Sequence, residues 1–192
     1  MGEAAKLLAR LSFEEYLVLE ERAPRKHELV DGVMYAMAGA SDRHNRIVVN
    51  LVMALGPAAR QRGCALYASD MKLRVGRDTS YYPDLMVLCQ PDAGEYYKER
   101  PCLVVEVLSA STEATDRREK LAHYRRIPSL EAYLLVDSRV RRAEGYYRQG
   151  EQWFYTEAVG AGEVRVPCLE VKLGLEEIYQ GLDLPQEWQE EG

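Results

Sequence analysis

The sequence has no apolar run that could cross a membrane. A transmembrane helix needs about 20 consecutive apolar residues, and the best candidate segment, residues 47–55, is short and interrupted by Asn50. The first ten residues include Glu3 and Lys6 and show no apolar core of a signal peptide. We therefore expect a cytoplasmic protein without a membrane partner.

An excess of positive charge is also missing. Lys and Arg total 25 against 31 Asp and Glu, which gives a net charge of −6. Proteins that coat nucleic acid through bulk charge are usually basic, so this class is disfavoured, although a local basic cleft is compatible with the balance. Only 6 of the 25 basic residues are lysines, and each lysine is therefore a candidate for a specific role.

Cysteines are few and show no metal-binding spacing. The four, Cys64, Cys89, Cys102 and Cys168, are widely and unevenly spaced and include no CxxC pair. Three of them adjoin apolar runs, which is typical of buried thiols in a reducing compartment. The sequence therefore predicts free thiols rather than disulfides or a zinc site.

Linkers, internal repeats and low-complexity segments are absent, and 192 residues is close to the usual size of one domain. Near the start, Ser12 and Glu15 have the spacing of a capping box, which predicts a helix over residues 12–21. An Asp-Gly pair, which favours a two-residue turn, predicts a β-hairpin over residues 27–38.

Apolar periodicity then predicts a long helix over residues 42–61, which Pro57 is expected to kink or shorten. The pattern changes to short apolar runs typical of buried strands. The predicted order is three strands, a helix, a strand and a hairpin, at residues 64–75, 82–89, 102–109, 113–126, 130–136 and 139–157. These elements predict an α/β fold in a single domain, 1–192, with a core over about 42–137, an N-terminal helix and hairpin over 12–38 and a β-rich annex over 139–173.

Two carboxylates lie where carboxylates are costly. Glu106 lies inside an apolar strand, and burying even a neutral polar group without a partner costs ~2–7 kcal/mol. Asp84 begins the preceding strand, so the two side chains converge if the strands are neighbours. Converging carboxylates suit Mg²⁺, which binds a few hard oxygen ligands and keeps several waters. Two structural roles remain open as alternatives: a turn formed by Pro83 and Asp84, and a salt bridge between Glu106 and a buried Arg.

The segment after Glu106 adds polar groups near the same position. A strand that leads into a helix capped by Ser111 or Thr112 leaves free N–H groups that can hold a phosphate oxygen. The hydroxyls of Ser109 and Ser111 would add further donors. The start of this helix is therefore a candidate phosphate-binding element.

One face of the same helix carries Asp116, Lys120 and Tyr124 at positions i, i+4 and i+8. Because the helix leaves the strand at Glu106, one of its faces must look back toward that carboxylate. The alternative is an exposed ion pair between Asp116 and Lys120, worth only ~0.3–0.5 kcal/mol.

Together these motifs resemble a known family. Pro83-Asp84, Glu106-Val-Leu-Ser109, Asp116 and Lys120, on a helix–three strands–helix–strand frame, look like the PD-(D/E)XK nuclease superfamily. More narrowly, the sequence resembles the Uma-type restriction endonuclease family of bacteria, on residues 27–32, His44, Pro83-Asp84, 105–112, Asp116, Lys120 and Tyr124. The resemblance covers about residues 12–147 and implies a restriction-endonuclease-like mixed sheet (αβββαβ) flanked by helices, with an N-terminal hairpin and a C-terminal β-rich extension.

The resemblance also implies a catalytic set. Asp84 and Glu106 would bind Mg²⁺, for which Mn²⁺ would substitute. The superfamily usually has a Lys two residues after the Glu, and this sequence has Leu108 there. Lys120, from the following helix, is the natural replacement and would orient or help deprotonate the attacking water.

Two further residues enter through the resemblance. Glu28 would complete the acidic cluster, and His44 would line the site together with Ser109, Ser111, Asp116 and Tyr124. For Glu28 the alternative is a charge at a hairpin edge, and for His44 it is an ordinary residue of a helix N-terminus.

The resulting hypothesis is a Mg²⁺-dependent DNA endonuclease that acts as a homodimer and needs no organic cofactor. Arg117, Arg118 and Arg125 are candidate contacts to DNA phosphates, although solvated arginines interspersed with Glu would give the same pattern. The alternatives are a nuclease fold that has lost catalysis and serves as a DNA-binding or self-associating module, and a hydrolase of small phosphate esters. The net charge and Leu108 both favour the silent module.

Overall fold

The computed structural model of the protein describes residues 10–186. Both ends of the predicted domain therefore lie outside the described residues. The same holds for almost all of the first ten residues, in which no signal peptide was expected. Within the described part, the helices are too short or too polar to span a membrane.

The N-terminal elements form as predicted. Helix α1 (Phe13–Arg22) begins after Ser12, which accepts a hydrogen bond from the amide of Glu15 while the Glu15 side chain accepts one from the amide of Ser12. Strands β1 (His27–Val30) and β2 (Val33–Ala36) then pair in an antiparallel hairpin. Both turn residues have a positive φ, 48° and 80°, as a tight Asp-Gly turn requires.

A six-stranded mixed sheet forms the centre of the fold. Its strands, in spatial order, are β11 (Gln152–Val159), β10 (Arg142–Gln149), β9 (Ala132–Asp137), β8 (Leu103–Leu108), β6 (Leu85–Leu88) and β3 (Ala65–Ala68). Only β8 and β9 pair in parallel in this sheet. A parallel pair needs a crossover connection, and here the crossover is the helical segment that carries Lys120.

Helix α2 (Asp42–Gln61) covers one face of this sheet. Its residues Ile47 and Leu51 share a buried apolar cluster with Val105 and Val107 of β8. Short C-terminal elements extend this cluster: β12 (Glu163–Val166), a 3₁₀ turn (Pro167–Leu169), β13 (Val171–Gly174) and α5 (Leu175–Ile178). They form part of the predicted β-rich extension.

The opposite face carries the alternate residues of β8. Val104 and Leu108 pack there with Tyr124 and Tyr133 in a second apolar cluster. Glu106 lies between Val104 and Leu108 in the strand, so the alternation predicted from the sequence places its carboxylate on this face.

A second sheet of five short strands brings the hairpin to the same side of the molecule. Its order is β2, β1, β5 (Ser80–Tyr81), β4 (Lys72–Arg74) and β7 (Tyr97–Lys98). The predicted strand over residues 64–75 is therefore wrong, because it divides into β3 and β4 of different sheets. The chain turns between them at Ser69, whose φ is +57°.

The helix predicted over residues 42–61 forms with these bounds, and Pro57 lies inside α2 without shortening it. One helix prediction needs correction. The predicted helix over residues 113–126 is three pieces: α3 (Glu113–Thr115), a π-helical turn (Asp116–Lys120) and α4 (Leu121–Tyr124).

The prediction of free thiols is wrong for this structure. Disulfides join Cys64 to Cys89 and Cys102 to Cys168. The pairing of β3 with β6 explains the first, because one step beyond its last pair, Ala65 with Leu88, Cys64 stands opposite Cys89. Sequence spacing alone does not reveal such cross-strand neighbours.

Candidate active site

Glu106 is the buried centre of the site. Only 3 % of the residue is exposed, and its Oε1 atom accepts hydrogen bonds from Lys120 Nζ at 3.2 Å and from the Tyr124 hydroxyl at 2.8 Å. Burial raises the pKa of Glu106 well above its ordinary value, and the positive charge of Lys120 opposes that rise. The partner of this carboxylate is therefore a lysine and not a buried arginine.

Asp84 lies beside Glu106 at the same end of the two strands. The antiparallel register pairs Leu85 with Val105, and one step further it sets Asp84 opposite Glu106. Residues opposite each other in an antiparallel pair project from the same face. Oδ2 of Asp84 also accepts a 2.7 Å hydrogen bond from the amide of Val107, which anchors this carboxylate to β8.

His44 holds the other oxygen of Asp84. Its Nε2 atom lies 2.9 Å from Asp84 Oδ1, and the first turn of α2 positions the ring because the Ser41 side chain accepts a hydrogen bond from the His44 amide. Burial lowers the pKa of His44, but the hydrogen bond and charge of Asp84 outweigh it and leave the pKa raised. The structure thus brings His44 into the site, beyond an ordinary helix start.

Lys120 connects the carboxylates. Its Nζ atom lies 3.1 Å from Glu28 Oε1, 3.2 Å from Glu106 Oε1 and 3.2 Å from Asp116 Oδ1. Burial lowers the pKa of Lys120, yet the three carboxylates outweigh burial and raise it well above its ordinary value. The ammonium group is therefore retained in a buried acidic cluster, which we call the lysine cluster: Glu28, Glu106, Asp116 and Lys120.

The π-helical turn places both its ends inside the protein. Asp116 and Lys120 are buried, so the alternative of an exposed helix ion pair is wrong. The Asp116 carbonyl accepts a hydrogen bond from the Tyr133 hydroxyl at 3.1 Å. π-Helical turns are rare and often lie at functional sites.

Two residues near Lys120, Tyr81 and His123, were not predicted from the sequence as parts of the site. The Tyr81 hydroxyl donates to Glu119 Oε1 at 3.0 Å and lies 2.6 Å from His123 Nδ1, while the Tyr81 ring lies below Lys120 Nζ at 5.3 Å. Helical spacing could have indicated His123, which stands three residues after Lys120 on the same side. The contact of Tyr81 with this helix depends on the second sheet and leaves no sequence signal.

Comparison with known proteins places the chain in a family. The family model described as "Uma2: Putative restriction endonuclease" matches residues 13–184. The chain belongs to this family. Two proteins of Synechocystis sp. are close relatives of this Uma2 chain: uncharacterized protein sll1609, 38 % identical over 78 % of this chain and 88 % of that protein, and uncharacterized protein slr1290, 36 % identical over 90 % and 93 %.

A solved structure shares the fold of this Uma2 chain. It is described as a putative nuclease belonging to DUF820 from Anabaena variabilis, and it superposes with a TM-score of 0.68 over 88 % of this chain and 97 % of that one. At 16 % sequence identity, the likeness shows the fold alone. It confirms the restriction-endonuclease-like α/β architecture predicted from the sequence.

Asp84 and Glu106 supply oxygen donors of the kind that a hard divalent cation prefers. Within residues 10–186, three His, Cys, Asp or Glu ligand atoms lie mutually within 4.8 Å only at the cysteines, but Mg²⁺ often takes one or two carboxylates and completes its shell with water. Asp84 and Glu106 form such a pair. Near them, Oδ1 of Asp116 is buried and lies 3.2 Å from Lys120 Nζ, so the ammonium group already balances the charge of this carboxylate.

Two amides at the predicted phosphate-binding helix start are already hydrogen-bonded within the chain. The amides of Thr112 and Glu113 both donate to the Ser109 carbonyl, at 3.3 and 3.1 Å, so they are not free for a phosphate. The Ser109 hydroxyl lies 3.0 Å from that of Ser111. Ser109 also lines an open cleft of about 430 Å³ beside the first turn of α2, with Ser41.

The three predicted DNA-contacting arginines differ in their surroundings. Arg117 donates to Glu144 Oε1 at 2.7 Å and to Glu113 Oε1 at 2.9 Å, so its charge is already balanced within the Uma2 chain. Arg118 and Arg125 are exposed. Arg125 lies over the Trp153 ring at 5.7 Å, so Arg118 is the better candidate of the three for a phosphate contact.

Proposed function

We propose that the protein is a metal-dependent nuclease that hydrolyses phosphodiester bonds in DNA. The observation that carries the proposal is the position of Lys120, whose Nζ atom reaches Glu106 at 3.2 Å from the following helix. It supplies beside Glu106 the ammonium group that the superfamily usually takes from the position of Leu108. This position of Lys120 weakens one of the two arguments for the silent-module alternative, the missing lysine, and leaves the other, the net charge of −6.

Asp84 and Glu106 are the residues that would hold Mg²⁺ or Mn²⁺. A bound divalent cation supplies Lewis-acid polarisation of the scissile phosphate and lowers the pKa of a coordinated water. His44 orients the Asp84 carboxylate, a role that outer ligands of metal sites commonly have. Because β6 and β8 are buried in the centre of the sheet, both carboxylates stand on rigid backbone.

Lys120 acts as a charged hydrogen-bond donor in this proposal. The three carboxylates around its Nζ atom favour the ammonium form, so Lys120 positions water and offsets the negative charge that develops on the phosphate rather than accepting a proton. Glu28 and Asp116 hold the ammonium group in place and are positioning residues.

A homodimer is part of the proposal. Strand β11 is the edge of the central sheet, and its side chains Phe154 and Tyr155 are exposed, at 43 % and 47 %. Exposed edge strands pair readily with another chain, and two-fold dimers are the commonest oligomers. Light scattering of the purified protein tests this point: dimers that persist in a Phe154→Glu variant would exclude the β11 edge as the interface.

The activity is tested with plasmid, linear duplex and single-stranded DNA at Mg²⁺ or Mn²⁺ concentrations from zero to saturation. We expect cleavage of at least one DNA form that stops when EDTA is added. A small phosphodiester such as bis-(4-nitrophenyl) phosphate is included in parallel. Hydrolysis of that ester without DNA cleavage would favour the small-ester hydrolase, and DNA binding without any cleavage would favour the silent module.

A further inference from the structure

The four cysteines form one sulfur cluster although they lie far apart in the chain. Cys64 follows α2, Cys89 follows β6, Cys102 precedes β8 and Cys168 lies in the 3₁₀ turn. The Sγ atoms of the last three lie mutually within 4.8 Å, and Cys64 is bonded to Cys89. All four sulfur atoms therefore meet at a single place.

The backbone holds two of the four cysteines there independently of the sulfur bonds. The amide of Cys64 donates to the Ala59 carbonyl at 2.8 Å, at the end of α2. The amide of Cys102 donates to the Val87 carbonyl at 2.8 Å and ties it to β6. Because these two backbone hydrogen bonds do not depend on the sulfur bonds, we expect Cys64 and Cys102 to keep their positions after reduction.

The distances suit a tetrahedral metal site. Sγ of Cys89 lies 3.6 Å from Sγ of Cys102 across the two disulfides. With a Zn–S bond of about 2.3 Å, adjacent sulfurs of a ZnS₄ tetrahedron lie about 3.8 Å apart. Soft thiolate ligands select Zn²⁺ over Mg²⁺, so this cluster and the carboxylate pair would take different ions.

We propose that the four cysteines, when reduced, bind one Zn²⁺, and that the two disulfides of this structure are the oxidised state of the same site. The cluster lies at the opposite ends of β6 and β8 from Asp84 and Glu106, roughly 15 Å along the strands. It is a structural site with four protein ligands and does not depend on the nuclease activity.

The two states are connected by thiol–disulfide exchange. Two molecules of a small disulfide such as oxidised glutathione accept four electrons in total from the four thiolates. Two protein disulfides form, four glutathione thiolates leave, and one Zn²⁺ is released. The expected pairing in the product is Cys64 with Cys89 and Cys102 with Cys168.

The test uses the full-length protein, reduced with a phosphine, freed of metal and titrated with Co²⁺ and then Zn²⁺ without oxygen. We expect the sulfur-to-cobalt charge-transfer and ligand-field bands of a tetrahedral tetrathiolate, with an intensity that corresponds to one such Co²⁺ per chain and that is lost when Zn²⁺ is added. An Asp84→Asn/Glu106→Gln variant, which lacks the carboxylate pair, is the matched control, and the intensity of its tetrathiolate bands should be unchanged. Oxidised glutathione should then release one Zn²⁺ per chain, measured with a chromogenic chelator.

Substitution of the ligands gives a second readout. Cys102→Ser and Cys168→Ser should each weaken Zn²⁺ binding by about 10-fold or more and shift the cobalt bands toward a mixed oxygen and sulfur shell. If these variants do not fold, the wild-type spectrum decides alone. An absence of tetrathiolate cobalt bands, less than half a Zn²⁺ per chain, or four cysteines that stay oxidised under the phosphine would each overturn the proposal.

Discussion

The two ends of strands β6 and β8 differ in chemistry although they share one hydrogen-bonded frame. At one end, Asp84 and Glu106 stand beside a buried lysine. At the other end, the exposed Cys89 lies 3.6 Å, sulfur to sulfur, from Cys102, which is buried in an apolar cluster. The carboxylate end depends on buried charges that balance one another. The cysteine end depends on disulfide bonds in this structure and, in the proposed reduced state, on bonds from the sulfurs to Zn²⁺.

The largest expected effect is on cleavage at the carboxylate end. Asp84→Asn and Glu106→Gln each remove a negative oxygen ligand, and metal-bound charge stabilisation is worth several kcal/mol. We expect each variant to lower the rate of plasmid nicking by about 1,000-fold or more, with unchanged circular dichroism. Glu170→Gln, at an exposed pair near the cysteine end, is the control and should keep full activity. A nuclease rate within 10-fold of wild type for Glu106→Gln would contradict the assigned metal site.

The next effect is on stability. Lys120→Met leaves Glu28, Glu106 and Asp116 without their cation, and breaking a buried ion pair costs about 3–5 kcal/mol. Lys172→Met, which removes an exposed lysine paired with Glu163, is expected to change the free energy of unfolding by less than about 0.5 kcal/mol. Urea denaturation followed by fluorescence measures both variants. Similar costs for both lysines would show that the lysine cluster is not a buried charge network.

A smaller effect is expected on metal affinity. His44→Ala removes the group that orients Asp84, and the loss of such a partner typically weakens metal binding by 10–100-fold. His27→Ala is the control, because His27 pairs with Glu20 and not with Asp84. Calorimetric titration with Mn²⁺ measures the dissociation constants. An unchanged constant for His44→Ala would exclude His44 from the positioning of the metal ligands.

The smallest effect concerns DNA phosphates. Arg118→Ala should reduce the slope of log K against log salt concentration by about 1 if Arg118 contacts one phosphate. Arg62→Ala, on an arginine paired with Glu170 beside the cysteine end, should leave the slope unchanged. Fluorescence anisotropy with a labelled duplex at several salt concentrations compares the two variants. Equal slopes for Arg118→Ala and Arg62→Ala would show that Arg118, on the helical crossover, does not contact the DNA.

Much of the carboxylate end could be predicted from the sequence because its signals are local. Glu106 stood out as a charge within an apolar strand, and Lys120 shared a helical face with Asp116 and Tyr124. The π-helical turn could not be predicted from the helical spacing of these residues. Nevertheless, it preserves the side on which Asp116 and Lys120 project.

The cysteine end could not be predicted in the same way. Cys64 and Cys89 become neighbours only through the register of β3 with β6, and Cys168 arrives from the C-terminal extension. Residues 64–75 were predicted as one strand for the same reason, because the sequence pattern does not show that β3 and β4 belong to different sheets. Sequence patterns did not indicate which distant segments of the chain contact one another.

The proposed metal site at Asp84 and Glu106 is tested most directly by diffraction from crystals of the protein soaked in Mn²⁺. The data are collected at a wavelength where manganese scatters anomalously. The account predicts an anomalous peak in direct contact with carboxylate oxygens of both Asp84 and Glu106, and the loss of that peak in Glu106→Gln crystals. A saturating soak with no peak between these two carboxylates would contradict it.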